Sequence, residues 1–218
     1  VMAMAMVAAL TACGTKAKTE TKTETTTANA ANSSEITGDG VATKGQLVMV
    51  TNLEFPPFEY RENDQPAGID VDIAKEVAKK MGLELKVDDI AFDSIIPELV
   101  SGKADISFAG MTVTEDRKQS VDFTQTYTKA SQMIIVKNDS SIAGPDDLKN
   151  KRIGVQQGTT GDLFSSTVEG ATVERYNKGM EAVQALVQGK VDAVVIDEQP
   201  AKVYVKEVQG TKVLDTVA

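Results

Sequence analysis

Short apolar runs alternate along this chain with longer stretches whose apolar residues return every three or four positions. The first run, 47–51, is four apolar residues closed by a threonine, and it reads as a strand. Ile69, Ile73, Val77 and Met81 then recur at helical spacing with Gly82 behind them, which predicts a helix over 70–81. A weak strand at 85–87 and a helix over 94–100 follow, with Asp93 as N-cap, Pro97 near the first turn and Gly102 past the end. A strand over 106–109 closes this set. A second set begins with strands at 132–136 and 152–156. Gly158-Thr159-Thr160-Gly161 then turns into a helix running to 168. A strand at 172–176, a helix over 179–188, a buried strand at 191–196 and a helix over 199–208 complete it, with Pro200 in the last helix's first turn.

Strand and helix alternating throughout favour α/β architecture with parallel sheets, whose ligands bind beyond the strands' carboxyl ends. One internal echo bears on this. Leu99-Val100-Ser101-Gly102-Lys103-Ala104-Asp105 matches Leu186-Val187-Gln188-Gly189-Lys190-Val191-Asp192. It reads either as a common helix-to-strand junction used twice or as two related lobes, and both copies run toward candidate site residues, Gly110 and Asp197.

The N-terminal pattern differs. Residues 1–10 form an apolar run of Val, Met, Ala and Leu, too short to span a bilayer and suited to the apolar part of a signal peptide. Leu10-Thr11-Ala12-Cys13-Gly14 resembles a bacterial lipobox, which implies lipidation at Cys13. The absent basic segment and initiator Met are read as N-terminal truncation. Residues 14–44 carry almost no large apolar side chain and are expected to be a disordered tether, because they bury too little to offset ordering entropy. Residues 45–131 then form a first lobe with a crossover at 126–129, and residues 132–218 a second lobe.

Composition narrows the chemistry. A net charge of -9, with no Lys/Arg cluster, argues against a nucleic-acid partner. Histidine is absent, which removes Ser-His-Asp and Cys-His sites and the commonest metal ligand. With Cys13 as the single cysteine, neither an intrachain disulfide nor a cysteine zinc site can form.

What remains is anion recognition. From Asp105 to Thr124 an apolar strand opens at Gly110 into a hydroxyl-bearing turn with Thr112, followed by Arg117. Backbone N–H groups, hydroxyls and a planar guanidinium fork together suit a carboxylate. On composition alone Arg117 is a solvated helix charge, Gly110 a turn glycine, Thr159, Thr160 and Asp197 helix caps, and Phe55 and Phe92 core.

Several motifs from residue 47 onward resemble the family 3 solute-binding proteins, the amino-acid receptors of bacterial ABC importers. They are Thr51-Asn52-Leu53-Glu54-Phe55-Pro56-Pro57-Phe58-Glu59-Tyr60, Gly68-Ile69-Asp70-Val71-Asp72-Ile73, the stretch from Ala109 to Arg117 continued by Val121-Asp122-Phe123-Thr124, and those around Gly154 to Thr160 and Asp192 to Asp197. The resemblance implies a two-lobed type II periplasmic-binding-protein fold, each lobe a mainly parallel sheet flanked by helices, closing on its ligand by hinge motion. It also implies that the first lobe's last elements would follow Ala218. In that family Arg117 would grip the α-carboxylate, aided by Thr112, Thr159 and Thr160. Asp197, Gly110 and the neighbouring Ala109 would face the ammonium end. Phe55 and Phe92 would sandwich the side chain. Asn52 and Gln156 would set specificity, and an uncharged residue at 52 points to a polar, uncharged amino acid.

The expected protein is a monomeric, lipid-anchored, extracytoplasmic receptor working with an ABC permease, without cofactor, metal or catalysis. Rival expectations are a dehydratase or lytic enzyme of the same fold, for which Glu54 and Glu198 are the candidate acids, or the sensing domain of a signalling receptor.

Overall fold

The computed structural model describes Ala5–Met6 and residues 40–218. Ala5–Met6, within the segment expected to be a signal peptide, instead pair as a strand in the first lobe, while the rest of that segment, Cys13 and the expected tether up to residue 39 lie outside these residues. Residues 40–44, grouped with the tether by composition, run along the first lobe, where Ala42 N–H donates to Asp105 Oδ1 at 2.6 Å.

In the first lobe, in chain order, come β1 (Ala5–Met6), β2 (Gln46–Thr51), β3 (Glu54–Phe55), β4 (Glu59–Glu62), β5 (Gln65–Ala67) and α1 (Ile69–Met81). They are followed by β6 (Glu84–Asp89), a 3-10 turn (Phe92–Ser94), α2 (Ile95–Val100), β7 (Ile106–Ser107), α3 (Glu115–Lys118) and β8 (Asp122–Phe123). The sheet order is β6-β2-β7-β1-β8, parallel across β6-β2-β7 and antiparallel at β1. Strand β2 is buried almost throughout because helices cover both its faces. Val48 and Val50 pack with Ile95 and Leu99 of α2, and Leu47 and Met49 with Ala74 and Ala78 of α1. A run with apolar residues on both faces is what such a central strand requires.

The second lobe contains β9 (Gln132–Lys137), a 3-10 turn (Pro145–Leu148), β10 (Arg152–Gln156), α4 (Thr160–Thr167), β11 (Thr172–Tyr176), α5 (Gly179–Val187), β12 (Ala193–Asp197), α6 (Glu198–Glu207) and β13 (Thr211–Val217). Its order is β11-β10-β12-β9-β13, with a parallel core and antiparallel β9 and β13. One apolar layer crosses between lobes: Phe55 and Phe58 pack with Ala182, Leu186 and Tyr204.

The echoed heptads occupy matching places. Gly102 and Gly189 both end helices in the left-handed region, at φ 72° and 74°. Asp105 exchanges bonds with Val48: its backbone N–H donates to the Val48 carbonyl at 2.9 Å, and its carboxylate accepts from Val48 N–H at 2.7 Å. Asp192 does the same with Arg152, at 2.8 and 2.9 Å. The repeat is therefore architectural: each aspartate clips its strand to the preceding parallel one, fixing where the strand ends fall.

The structure departs from expectation in several places. Asp93 does not cap α2. Ser94 holds that position without a side-chain cap, a 3-10 turn precedes it, and Asp93 instead accepts from Gln157 Nε2 of the other lobe at 2.7 Å. The strand expected over 106–109 ends at Ser107, because Phe108 O turns aside to accept from Thr51 Oγ1 at 2.6 Å. The β3-β4-β5 meander was not expected, although Asn63 and Asp64, at φ 50° and 61°, form the kind of two-residue turn that favours hairpins. Strand β13 was not expected either, and its mixed burial, with only Thr211 and Leu214 buried, explains why.

Candidate functional site

The strand ends converge on one cleft of about 320 Å³, lined by Asn52, Phe55, Glu59, Phe92, Ala109, Gly110, Thr112, Arg117, Gln156, Thr159, Thr160 and Asp197. Every ligand-binding residue expected from the sequence is in it, and Glu59 is an addition.

Arg117 is held by its surroundings. Thr114 caps α3 by accepting from Arg117 N–H at 3.2 Å, which sets the side chain's origin. Nη1 donates to Thr112 O at 2.6 Å, and Nη2 donates across the cleft to Gly158 O at 2.9 Å. Beneath it lies the Phe92 ring, 5.4 Å from the guanidinium carbon, so Phe92 supports the cation as well as lining the cleft. Burial lowers the Arg117 pKa and the Asp197 charge opposes that, and an arginine stays cationic under both.

Gly110, at φ 53°, donates its N–H to Asp70 Oδ2 at 2.9 Å. With the N–H committed, the glycine offers its carbonyl as an acceptor. Across the cleft, Thr159 Oγ1 accepts from Asp162 N–H at 3.2 Å and donates to Gln156 O at 2.8 Å. The helix start at Thr160 therefore combines backbone N–H groups with hydroxyls, an arrangement suited to anions.

Asp197 ends β12 at the α6 cap position but makes no side-chain cap. Its carboxylate instead accepts from Gln132 Nε2. Burial pushes its pKa up to about 6, against the Gln132 hydrogen bond and the Arg117 charge. Gln132 also donates to Thr160 Oγ1 at 3.0 Å, joining two cleft residues. Asn52 and Gln156 meet directly, with Gln156 Nε2 donating to Asn52 Oδ1 at 3.0 Å, while Asn52 Nδ2 is tied to Ile90 O at 2.8 Å.

Glu59 and Gln132 were missed. Both lie in stretches read from the sequence, Glu59 within the Phe-Pro-Pro-Phe-Glu-Tyr motif, but a polar residue carries no periodic signal that it points inward. Glu54 and Glu198, the acids considered for an enzyme, lie off the cleft lining and are paired with Lys178 and Lys202.

A cation, Arg117, and a carboxylate, Asp197, thus line one cleft from opposite lobes, with a helix start beside the cation. The family model of bacterial extracellular solute-binding proteins, family 3, matches residues 47–207. The chain belongs to that family. A relative is the arginine-binding extracellular protein ArtP of Bacillus subtilis, 38% identical over 181 residues, which are 80% of this chain and 71% of ArtP. Two solved structures of an ancestral arginine-binding protein are also similar. The arginine-bound form is 43% identical with TM-score 0.75, covering 78% of this chain and 79% of that one. The glutamine-bound form is 42% identical with TM-score 0.75, covering 79% of each chain. This family 3 chain thus resembles receptors whose bound side chains include a cation and a neutral amide.

Proposed function

We propose that the protein is the lipid-anchored substrate-binding component of an ABC importer, holding an amino acid between its lobes for delivery to a permease and performing no chemistry. The observation that carries this reading is the pairing of Arg117 and Asp197 across one cleft. A ligand sealed there needs its charges matched at both ends, since unpaired buried charge is costly. Arg117, Thr112, Thr159 and Thr160 would take the carboxylate, and Asp197 and the Gly110 carbonyl the ammonium. Phe55 and Phe92 would flank the side chain. Its tip would meet Asn52 and Gln156, which bond to each other and are both hydrogen-bonding groups, so the ligand is a polar amino acid. The amide pair suits an uncharged side chain such as that of glutamine. Attachment through Cys13 would place a monomer on the extracytoplasmic face.

Titration calorimetry against the common amino acids tests the reading, with thermal shift alongside, because a ligand of the native state must stabilise it. Binding by at least one polar amino acid is expected, and Arg117→Ala should weaken it by roughly a hundredfold, the loss of a charged, bidentate contact. Silence from every amino acid would remove the receptor reading. Full affinity in the alanine variant would remove the carboxylate assignment. For the anchor, cells fed labelled palmitate should label the wild type and not Cys13→Ala.

A further inference from the structure

One amide behind the cleft joins two residues that line it. Gln132 opens β9 and pairs across the sheet with Asp197 at the end of β12. Its Nε2 donates to Asp197 Oδ1 and, at 3.0 Å, to Thr160 Oγ1, the first residue of α4. Both acceptors line the cleft, and Gln132 does not. An amide nitrogen carries two protons, so both are spent on these two bonds. Charge fixes which way the amide points. Asp197, with a pKa of about 6, is ionised at neutral pH, and a reversed amide would set its carbonyl against that carboxylate. The carbonyl oxygen, Oε1, is buried without a hydrogen-bond partner among the described residues. Gly161 makes room for it: a Cβ there would stand 2.9 Å from Gln132 Oε1 and 2.9 Å from Val195 O. The donated bonds set what each partner has left to offer. A hydroxyl whose oxygen accepts from an amide keeps its own proton to give, and a carboxylate engaged through Oδ1 keeps Oδ2 to accept.

We propose that Gln132 is a positioning residue that fixes the hydrogen-bond polarity of the second lobe's cleft wall, turning the Thr160 hydroxyl into a donor for the ligand carboxylate and holding Asp197 as an acceptor for the ligand ammonium. The inference rests on the receptor reading above, which assigns those two ends. Gln132 touches neither end of the ligand and acts through the two residues it holds. Without its nitrogen the Thr160 hydroxyl is free to rotate and to give its proton elsewhere, and Asp197 loses the bond that holds its carboxylate in place. With an acceptor in place of that nitrogen the polarity inverts. The hydroxyl then donates backward, away from the cleft, and a second carboxyl stands beside Asp197.

The test is calorimetry at pH 7.5 on the full chain, with L-glutamine first and then the other common amino acids as probes, the tightest being carried through the variants. Gln132→Met, close in volume but unable to donate, should weaken binding about tenfold. Gln132→Glu, the closest in shape, should weaken it more, by roughly a hundredfold, because it inverts the polarity and adds a like charge. A side chain that only filled space would give the opposite order. A double-mutant cycle shows whether Gln132 acts through Thr160. Thr160→Val should cost about tenfold in the wild type and about twofold in Gln132→Met, while Thr160→Ser, which keeps the hydroxyl, should stay within about threefold of wild type. Thermal melts establish that each variant is folded. Should Gln132→Glu unfold, the cycle on Gln132→Met decides, and should both unfold, Thr160→Val against Thr160→Ser in the wild-type background decides. Wild-type affinity in Gln132→Glu would overturn the proposal, as would an equal cost of Thr160→Val in both backgrounds or no cost of it in the wild type. Each of these leaves the receptor reading intact. Binding of no amino acid by the wild type would remove both.

Discussion

Asp197 is a buried carboxyl whose protonation bears on stability. Its folded pKa of about 6 lies above the ordinary aspartate value of 3.8, with burial the leading cause. Between those values the folded protein holds more protons than the unfolded chain, so stability is highest at the acid end and declines as pH rises through about 6. Two pKa units correspond to about 3 kcal/mol as an upper figure. Glu59 and Asp70, also raised by burial, act with the same sign. Thermal melts of the ligand-free protein should therefore show a lower midpoint near pH 7.5 than near pH 5, with a shallower slope in Asp197→Asn. A midpoint rising with pH over that range would contradict the assignment. Ligand would offset the cost, since an ammonium beside Asp197 favours its charged form. At this scale the meeting of Arg117 and Asp197 at one cleft was legible only through the family motifs that carry them, since on composition alone one reads as a solvated helix charge and the other as a cap. Glu59 was not, since a buried acid is identified by what surrounds it, and its neighbours Asp70 and Tyr127 come from distant segments.

Among the elements, α1 depends on one residue. Gly68 precedes it at φ 114°, and a Cβ there would stand 2.3 Å from Phe58 O and 2.7 Å from Phe58 C. The obstacle is backbone, and that same Phe58 carbonyl accepts from Asp70 N–H at 2.8 Å. Gly68→Ala should therefore cost about 2–4 kcal/mol, combining an unfavourable φ with a clash that cannot relax through a rotamer. Denaturant unfolding measures this, and a change below about 0.5 kcal/mol would show that the loop yields. Because Asp70 begins the helix that Gly68 admits, ligand affinity should fall as well. Helices and central strands were readable from periodicity and stop glycines, with α1 and β10 recovered within a residue at each end. The meander and β13 were not, because short or half-exposed strands carry too few inward apolar positions to register.

For the whole molecule, the lobes meet not only through the cleft bonds of Arg117 with Gly158 and of Gln156 with Asn52 but also through bonds outside the cleft. Gln157 donates to Asp93 at 2.7 Å, Lys178 pairs with Glu54, and the Tyr204 hydroxyl donates to Glu54 O. Tyr204 is 2% exposed, so its hydroxyl would be left stranded if the lobes parted without water taking its place. Tyr204→Phe keeps the ring in its apolar layer and removes this bond, worth about 1 kcal/mol. If closure draws on the bond, affinity should drop about fivefold through faster dissociation, which stopped-flow release would register. Unchanged dissociation would mean that closure does not use it.

The clipped strands give the cleft a hidden correspondence. Four residues beyond Val48 and Arg152, the partners of the two aspartates, lie Asn52 and Gln156, which bond to each other. Five beyond Asp105 and Asp192 lie Gly110 and Asp197. A pocket assembled from two copies of one unit would present the same face twice and would hold an amino acid in either orientation. Here the matched positions carry a glycine at 110 and an aspartate at 197, and that difference, with Arg117 on the first lobe alone, would give a bound amino acid a head and a tail. Matching strand ends form the walls, and the unlike residues set on them would supply direction.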